Sequence, residues 1–206
     1  MKRFAILGYP LGHTLSPKLH RLLAEQLGEQ IEYSICAIPP EELEEHFEEL
    51  FCMDGFNITI PYKVRLMEQL DRLDTSARNH GAVNVVSIAA DGKRCGYNTD
   101  CVGFVRTMQS HGVPIAGRVC VLGAGGVGRM FATECALRGC TVTLAVRAAS
   151  MKAAEQVAAH IRSLDAPAKV EVMDIEQLDG SQAYELMINA TPVGMYPNVQ
   201  HSPVDE

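Results

Sequence analysis

The 206-residue chain reads as an α/β protein of two units, the second a doubly wound parallel sheet. Three observations predict this. Short apolar runs alternate with amphipathic stretches along the whole chain. A glycine-rich loop, Gly123-Ala124-Gly125-Gly126-Val127-Gly128, stands between a buried run and a helical pattern. Hydrophobic residues make up 47% of the sequence, enough for a sizeable core, while aromatics are only 6%.

Phe4–Leu7 predicts a buried strand. Ser16-Pro17 opens a helix, with Ser16 at N-cap, Pro17 at N1, and Leu19, Leu22, Leu23 and Leu27 on one face. Gly28 ends it. Ile31–Ile38 is a second strand, Pro40–Phe51 an acidic helix and Gly55–Ile60 a third strand, after which Pro61 starts a helix to about Leu70. Ala82–Ala89 and Arg94–Tyr97 form a hairpin turned at Asp91-Gly92. A helix from Asp100 to about His111 leads into the second unit. There, strands at Arg118–Leu122, Thr141–Val146, Lys169–Met173 and Glu185–Asn189 alternate with helices at Val127–Leu137 and Ser150–Leu164 and a turn near Ile175–Leu178.

Charge and cysteine content exclude several function classes. The net charge is −7, against non-specific nucleic-acid binding. Six of the acids, Glu41, Glu42, Glu44, Glu45, Glu48 and Glu49, crowd one segment and predict a solvated face; the rest of the chain is nearly balanced. No apolar run is long enough for a bilayer. Met1-Lys2-Arg3-Phe4 mimics a signal peptide, but the run breaks at Gly8-Tyr9-Pro10 and suits a strand. Seven cysteines without a CxxC pair or histidine spacing predict reduced, mostly buried thiols of a cytoplasmic protein, with neither a disulfide framework nor a metal site.

In the glycine loop, Gly123 permits the tight turn, Gly125 lets backbone approach a pyrophosphate, and Gly128 allows close helix–strand packing. The following helix offers unpaired N–H groups to phosphate. An NAD site carries Asp or Glu after the next strand, whereas this chain reads Leu144-Ala145-Val146-Arg147. A guanidinium there suits a 2′-phosphate, which favours NADP, with Lys152 as a supplementary charge.

Three polar clusters mark the first unit: His13-Thr14-Leu15-Ser16-Pro17; Asn57-Ile58-Thr59-Ile60-Pro61-Tyr62-Lys63; and Asn84 with Asn98-Thr99-Asp100. Such hydroxyls, amides, one lysine and one aspartate suit a small polyol or sugar-like acid. Taken singly, Ser16 also reads as an N-cap, Asp100 as a cap of the linking helix and Thr59 as a strand former.

Together, Gly8–His20, Gly55–Lys63, Gly81–Val85, Asn98–Gly103, Gly123–Gly128 and Ile188–Met195 resemble the shikimate dehydrogenase family in order and spacing. The resemblance implies a substrate-binding domain at 1–101 and a Rossmann-like NADP-binding domain at 102–206. It implies reversible, NADP-dependent reduction of 3-dehydroshikimate to shikimate, a step of aromatic amino-acid biosynthesis. Lys63 and Asp100 resemble the catalytic pair, and Thr14, Ser16, Thr59, Lys63, Asn84 and Asp100 the substrate contacts. Gly123, Ala124, Gly125, Gly126, Val127, Gly128, Arg147 and Lys152 would hold the cofactor. Asn189-Ala190-Thr191-Pro192-Val193-Gly194-Met195 resembles the loop beside the nicotinamide, adding Thr191, Pro192, Gly194 and Met195.

The chain departs from the family pattern in three places. Thr14 stands where the family usually has Ser, which narrows the pocket and opens a preference for quinate. Val146-Arg147-Ala148 replaces Asn-Arg-Thr, which weakens the expected NADP affinity. The chain also reaches Ser202-Pro203-Val204-Asp205-Glu206 soon after the Gly-Met loop, so the second domain is expected to lack its last strands. An open edge at Glu185–Asn189 then predicts a homodimer or swapped assembly. A catalytically inactive, nucleotide-binding fragment is the alternative from another class.

Overall fold

The first apolar run forms β1 (Lys2–Gly8), whose last four residues are buried. It is followed by α1 (Ser16–Gln26), β2 (Ile31–Ala37), a 3-10 turn at Leu43–His46 that runs into α2 (Phe47–Phe51), and β3 (Gly55–Ile58). Next come a 3-10 turn at Arg65–Gln69, β4 (Arg72–Leu73), α3 (Thr75–His80), β5 (Val85–Ile88) and β6 (Arg94–Tyr97). This is a computed structural model that describes residues 1–164, 169–179 and 181–204; Asp205 and Glu206, the end of the second predicted domain, lie outside the described residues. The chain divides into two units, Met1–Thr99 and Asp100–Glu206.

In the first unit the strand order is β2-β1-β3-β5-β6-β4. β1 pairs in parallel with β2 and β3, and the hairpin β5–β6 adds antiparallel to β3. The carboxyl ends of β1, β3 and β6 and the start of β5 therefore meet along one edge. Alternation along the strands turns Ala5, Leu7, Phe56, Ile58 and Val86 to one face, where they pack with Leu43, Leu50, Tyr62 and Leu66. The hairpin forms as predicted, with Ile88 opposite Arg94 and Gly92 at φ 81°.

Three expectations for this unit need correction. Ser16 is the first helical residue rather than the N-cap; Leu15 holds that position, and the Thr14 hydroxyl accepts the Ser16 N–H at 3.2 Å. The leucines of α1 do not face inward: Leu19 is 53% exposed and Leu27 79%. Rotation of the helix is set by His20, stacked on Tyr33 at 4.5 Å, and by Arg21, which donates to the Tyr33 carbonyl at 3.0 Å. Ala24 is the residue buried instead.

The acidic segment is a 3-10 turn plus a short α2, not one helix over Pro40–Phe51. Six closely spaced glutamates repel at helical i,i+3 and i,i+4 distances, and all six are exposed, as the charge pattern predicted. The segment after Pro61 is also no α-helix. The Lys63 carbonyl accepts from Val83 N–H at 2.7 Å, so a helical ladder cannot use it, and only the 3-10 turn at Arg65–Gln69 forms. α3 and β4 were not anticipated, although Asp74, whose side chain accepts from Ser76 N–H at 2.9 Å, and Gly81 at φ 58° mark the ends of α3.

The second unit follows its predicted order closely: α4 (Asp100–Ser110), β7 (Arg118–Leu122), α5 (Gly126–Leu137), β8 (Thr141–Val146), α6 (Met151–Ser163), β9 (Val170–Asp174), a 3-10 turn at Ile175–Gln177 and β10 (Leu186–Asn189). Its sheet is parallel throughout, in the order β10-β7-β8-β9. Strands β7 and β8 are buried almost end to end, as expected of strands covered on both faces. α5 and α6 cover one face through Ala132, Cys135, Ala136, Ala154, Val157 and Ile161. The other face carries the smaller cluster of Cys120, Leu122 and Ala145 under Met173, Ile175 and Tyr184. Chain order reverses between β7 and β10, which makes that junction the topological switch point. No described helix is long and apolar enough to cross a membrane.

Cys101, Cys120, Cys135 and Cys140 are buried, while Cys52 is exposed. Burial pushes the Cys120 thiol up to about 11 and the Cys135 thiol to about 12, so neither forms thiolate near neutrality. Iodoacetamide at pH 8 is therefore expected to alkylate Cys52 first and to spare Cys120 and Cys135 until the chain unfolds, read by peptide mass spectrometry.

Candidate active site

In the first unit the polar clusters converge on the edge where β1, β3 and β6 end and β5 begins. Two backbone bonds continue the β1–β3 pairing beyond the sheet: Thr59 N–H to the Leu7 carbonyl at 2.8 Å and Tyr9 N–H to the Ile60 carbonyl at 2.9 Å. They hold the strand ends together. Gly8 is required at this crossing, because a Cβ there would stand 2.3 Å from Thr59 Cγ2 and 3.2 Å from the Ile60 carbonyl oxygen. Thr14 and Ser16 follow on the β1 side, with their hydroxyls 3.2 Å apart.

Asn84 lies directly across β3, its carbonyl accepting from Ile58 N–H at 2.8 Å and its N–H donating to the Tyr97 carbonyl at 2.9 Å. Its buried amide also bonds Thr99: Nδ2 to the hydroxyl at 3.0 Å, and Oδ1 from the Thr99 N–H at 2.8 Å. Lys63 is anchored by its neighbours. Tyr62 is fully buried with its hydroxyl donating to the Ile38 carbonyl, and the Lys63 carbonyl is held by Val83. The Lys63 side chain is half-buried. Thr14, Ser16, Thr59, Lys63 and Asn84 thus stand on one edge of one sheet. Asp100 is the first residue of α4, in the second unit.

Sequence reasoning missed two residues beneath this edge. Tyr33 on β2 is buried, and its hydroxyl donates to Asn57 Oδ1 at 2.7 Å. His20 covers Tyr33 from α1. The sole sequence signal was their place opposite the clusters on neighbouring elements, which becomes visible only with the β1–β2–β3 register.

The second unit builds a separate constellation at its switch point. Gly123, at φ 99°, turns the chain out of β7, and its N–H donates to the Ala145 carbonyl at 2.9 Å. Gly128 lies against that turn so closely that a Cβ would stand 2.1 Å from the Gly123 carbonyl oxygen. Above Gly125 and Gly126 a Cβ would meet no atom within 4 Å, so backbone N–H groups at the start of α5 face open space. Ala124 and Val127 complete the loop. That combination of tight turn, close packing and accessible helix end fits a dinucleotide pyrophosphate.

Arg147 follows β8, next to β7 in the sheet, and is exposed with no ion pair among the described residues. Lys152 is likewise exposed on the first turn of α6. No carboxylate stands at the end of β8, so the two cations are free to receive an added phosphate.

The loop after β10 is tied from within by Asn189, to which the sequence pattern alone assigns no role. Asn189 Oδ1 accepts from Thr191 N–H at 2.9 Å and from its hydroxyl at 2.7 Å, and Nδ2 donates to the Val193 carbonyl at 3.0 Å. Gly194, at φ 84°, and Met195, whose N–H bonds the Pro192 carbonyl at 3.2 Å, close the turn. The loop touches the glycine turn directly, since a Cβ on Gly123 would lie 3.0 Å from Thr191 Cγ2. A 610 Å³ cleft opens beside it, lined by Leu122, Met187, Asn189, Thr191, Met195 and Val204.

Comparison with known proteins agrees with both halves. The family described as shikimate dehydrogenase substrate-binding domain matches residues 6–86. A Bacillus cereus protein named shikimate dehydrogenase (NADP(+)) is 36% identical over 98% of this chain and 73% of its own length. The shikimate 5-dehydrogenase of Thermus thermophilus, solved with NADP(H) and shikimate, is similar at 32% identity and a TM-score of 0.84, over 100% of this chain and 74% of that one. The Listeria monocytogenes enzyme, solved with shikimate and NAD, gives 27% identity and a TM-score of 0.90 over 100% and 73%.

Replacing Gly128 by Ala is expected to displace the glycine turn and to weaken dinucleotide binding by about 10-fold or more, since its Cβ must push a backbone carbonyl aside. Calorimetric titration with NADP checks this, and a variant that binds like the parent would contradict the packing.

Proposed function

The chain belongs to the shikimate dehydrogenase family, and on that premise we propose that it interconverts 3-dehydroshikimate and shikimate with NADP(H). The observation that carries the proposal is the edge at which β1, β3, β5 and β6 present Thr14, Ser16, Thr59, Lys63 and Asn84. A ring bearing hydroxyls and a carboxylate needs several donors and acceptors at fixed spacing, and this edge supplies them on rigid strand ends.

The glycine loop and Arg147 fit NADP, which supplies or accepts the hydride when bound. Gly123, Gly125, Gly126 and Gly128 shape the cradle; Arg147, with Lys152, takes the 2′-phosphate; Thr191 and Met195 border the nicotinamide side. The protein's own chemistry is proton handling. A ketone oxygen that becomes an alkoxide needs a proton or a compensating charge, and the Lys63 ammonium provides it. Asp100, which the family resemblance assigns to the same catalytic pair, accepts from a substrate hydroxyl. Thr14, Ser16, Thr59 and Asn84 orient the ring. In the oxidative direction Lys63 Nζ takes the proton back.

The methyl of Thr14 narrows the carboxylate end, which makes discrimination between shikimate and quinate a property of that residue. A cytoplasmic home accords with the same reading and with four thiols kept buried. Among the described residues β10 stands at the edge of its sheet with Met187 exposed, and self-association through that strand is a further part of the proposal.

Reduction of NADP at 340 nm with shikimate, and separately with quinate, tests the reaction. Lys63→Ala is expected to lower kcat by about 10²–10⁴-fold while NADP still binds, as loss of a general acid–base group does. NADP binding without turnover in the parent chain would overturn the proposal. Arg147→Ser should raise the KM for NADP by about 10-fold and leave that for NAD within two-fold, in line with loss of one charge-assisted contact.

A further inference from the structure

A line of side-chain contacts in the first unit runs between two of the polar clusters and has no part in the chemistry above. His20, one turn into α1, holds its Nδ1 2.8 Å from the Ser16 carbonyl oxygen. A carbonyl only accepts, so Nδ1 carries a proton and the neutral ring is the Nδ1–H tautomer. The imidazole lies on Tyr33 with ring centroids 4.5 Å apart and planes 22° from parallel. Tyr33 is 3% exposed, and its hydroxyl donates to Asn57 Oδ1 at 2.7 Å. Burial raises the phenol well above its ordinary value, so it remains a donor at any working pH. Asn57 lies on β3, two residues before Thr59, which follows the end of that strand and is tied to Leu7 by its N–H.

We propose that His20 is a positioning residue that fixes the first turn of α1, and with it the Ser16 and Thr14 hydroxyls, against the Tyr33–Asn57 support of the β3 end. This rests on the reading of those hydroxyls as substrate ligands. Among the described residues the Ser16 hydroxyl is bonded only by Thr14, itself in a loop. Its direction follows the peptide plane of the first turn, and the His20 Nδ1–H anchors that plane from the carbonyl side. Stacking on Tyr33 limits where the imidazole can sit, so the Ser16 and Thr14 hydroxyls at the start of α1 and the segment after β3 that carries Thr59 move as one body. Preorganisation of this kind acts on substrate affinity and leaves the proton-transfer step at Lys63 unchanged.

Two measurements on the full chain test this. Nitrogen-15 NMR of labelled histidine, which needs no ligand, is expected to show the neutral His20 ring protonated at Nδ1 and bare at Nε2; the opposite tautomer overturns the contact. The second measurement compares His20→Phe, which keeps a ring on Tyr33 without a donor, with His20→Gln, which restores a donor. His20→Phe should raise the KM and the calorimetric Kd for shikimate about 10-fold, with kcat within two-fold and the Kd for NADP unchanged, as loss of one hydrogen bond implies. His20→Gln should recover most of that loss.

A parent chain that binds shikimate, with His20→Phe binding equally well, overturns the positioning role alone. Equal losses for shikimate and NADP mean general destabilisation and overturn it too. A parent chain that binds no shikimate overturns the reaction reading first and the positioning role with it.

Discussion

Two hydrogen bonds beyond the end of the first sheet hold the polar edge in place. The Thr59 N–H on the Leu7 carbonyl and the Tyr9 N–H on the Ile60 carbonyl extend parallel pairing of β1 and β3 into the segments that follow both strands. Without them, the loop that carries Thr14 and Ser16 and the segment that carries Thr59 and Lys63 would leave the sheet independently. With them, residues nearly fifty positions apart in sequence form one surface. The bonds also explain Gly8, since any side chain there would strike Thr59. The antiparallel arrival of β5 then places Asn84 at the same edge, and its backbone ties to Ile58 and Tyr97 keep it there.

The nucleotide side uses the same device in different chemistry. Parallel strands all finish at one edge, and order reversal between β7 and β10 leaves a crevice there with the glycine turn on one side and the Asn189-anchored loop on the other. Glycine matters at two points, Gly123 for its positive φ and Gly128 for the missing Cβ. Charge comes from Arg147, which sits beyond the neighbouring strand with no ion pair among the described residues. Backbone provides the shape of this site and a few side chains provide its selectivity, whereas in the first unit side chains provide nearly everything.

How much of this was legible depended on whether a signal was local. β7 and β8 were read to the residue from their apolar runs, and the Asp91-Gly92 hairpin from its turn chemistry. The helices after Pro40 and Pro61 were overcalled because propensity and periodicity ignore what competes for backbone groups; in the second case Val83 takes the Lys63 carbonyl. α3 and β4 were missed because elements of six and two residues give too short a window for a period. That the leucine face of α1 stays at the surface is not legible in the sequence, since helical spacing cannot weigh a stacked His20 and a donating Arg21 against four leucines.

The sequence by itself determined the residue types of both sites, the order of the second unit's elements, and the family, because those rest on contiguous motifs with fixed spacing. Tertiary structure alone decided that the motifs of the first unit share one edge, that Asn189 organises the loop after β10, and that His20 and Tyr33 stand beneath the hydroxyl-bearing residues. Each of these depends on strand register or on the rotation of a helix against a sheet. Both are set by packing between distant segments, and no local pattern of residues records them.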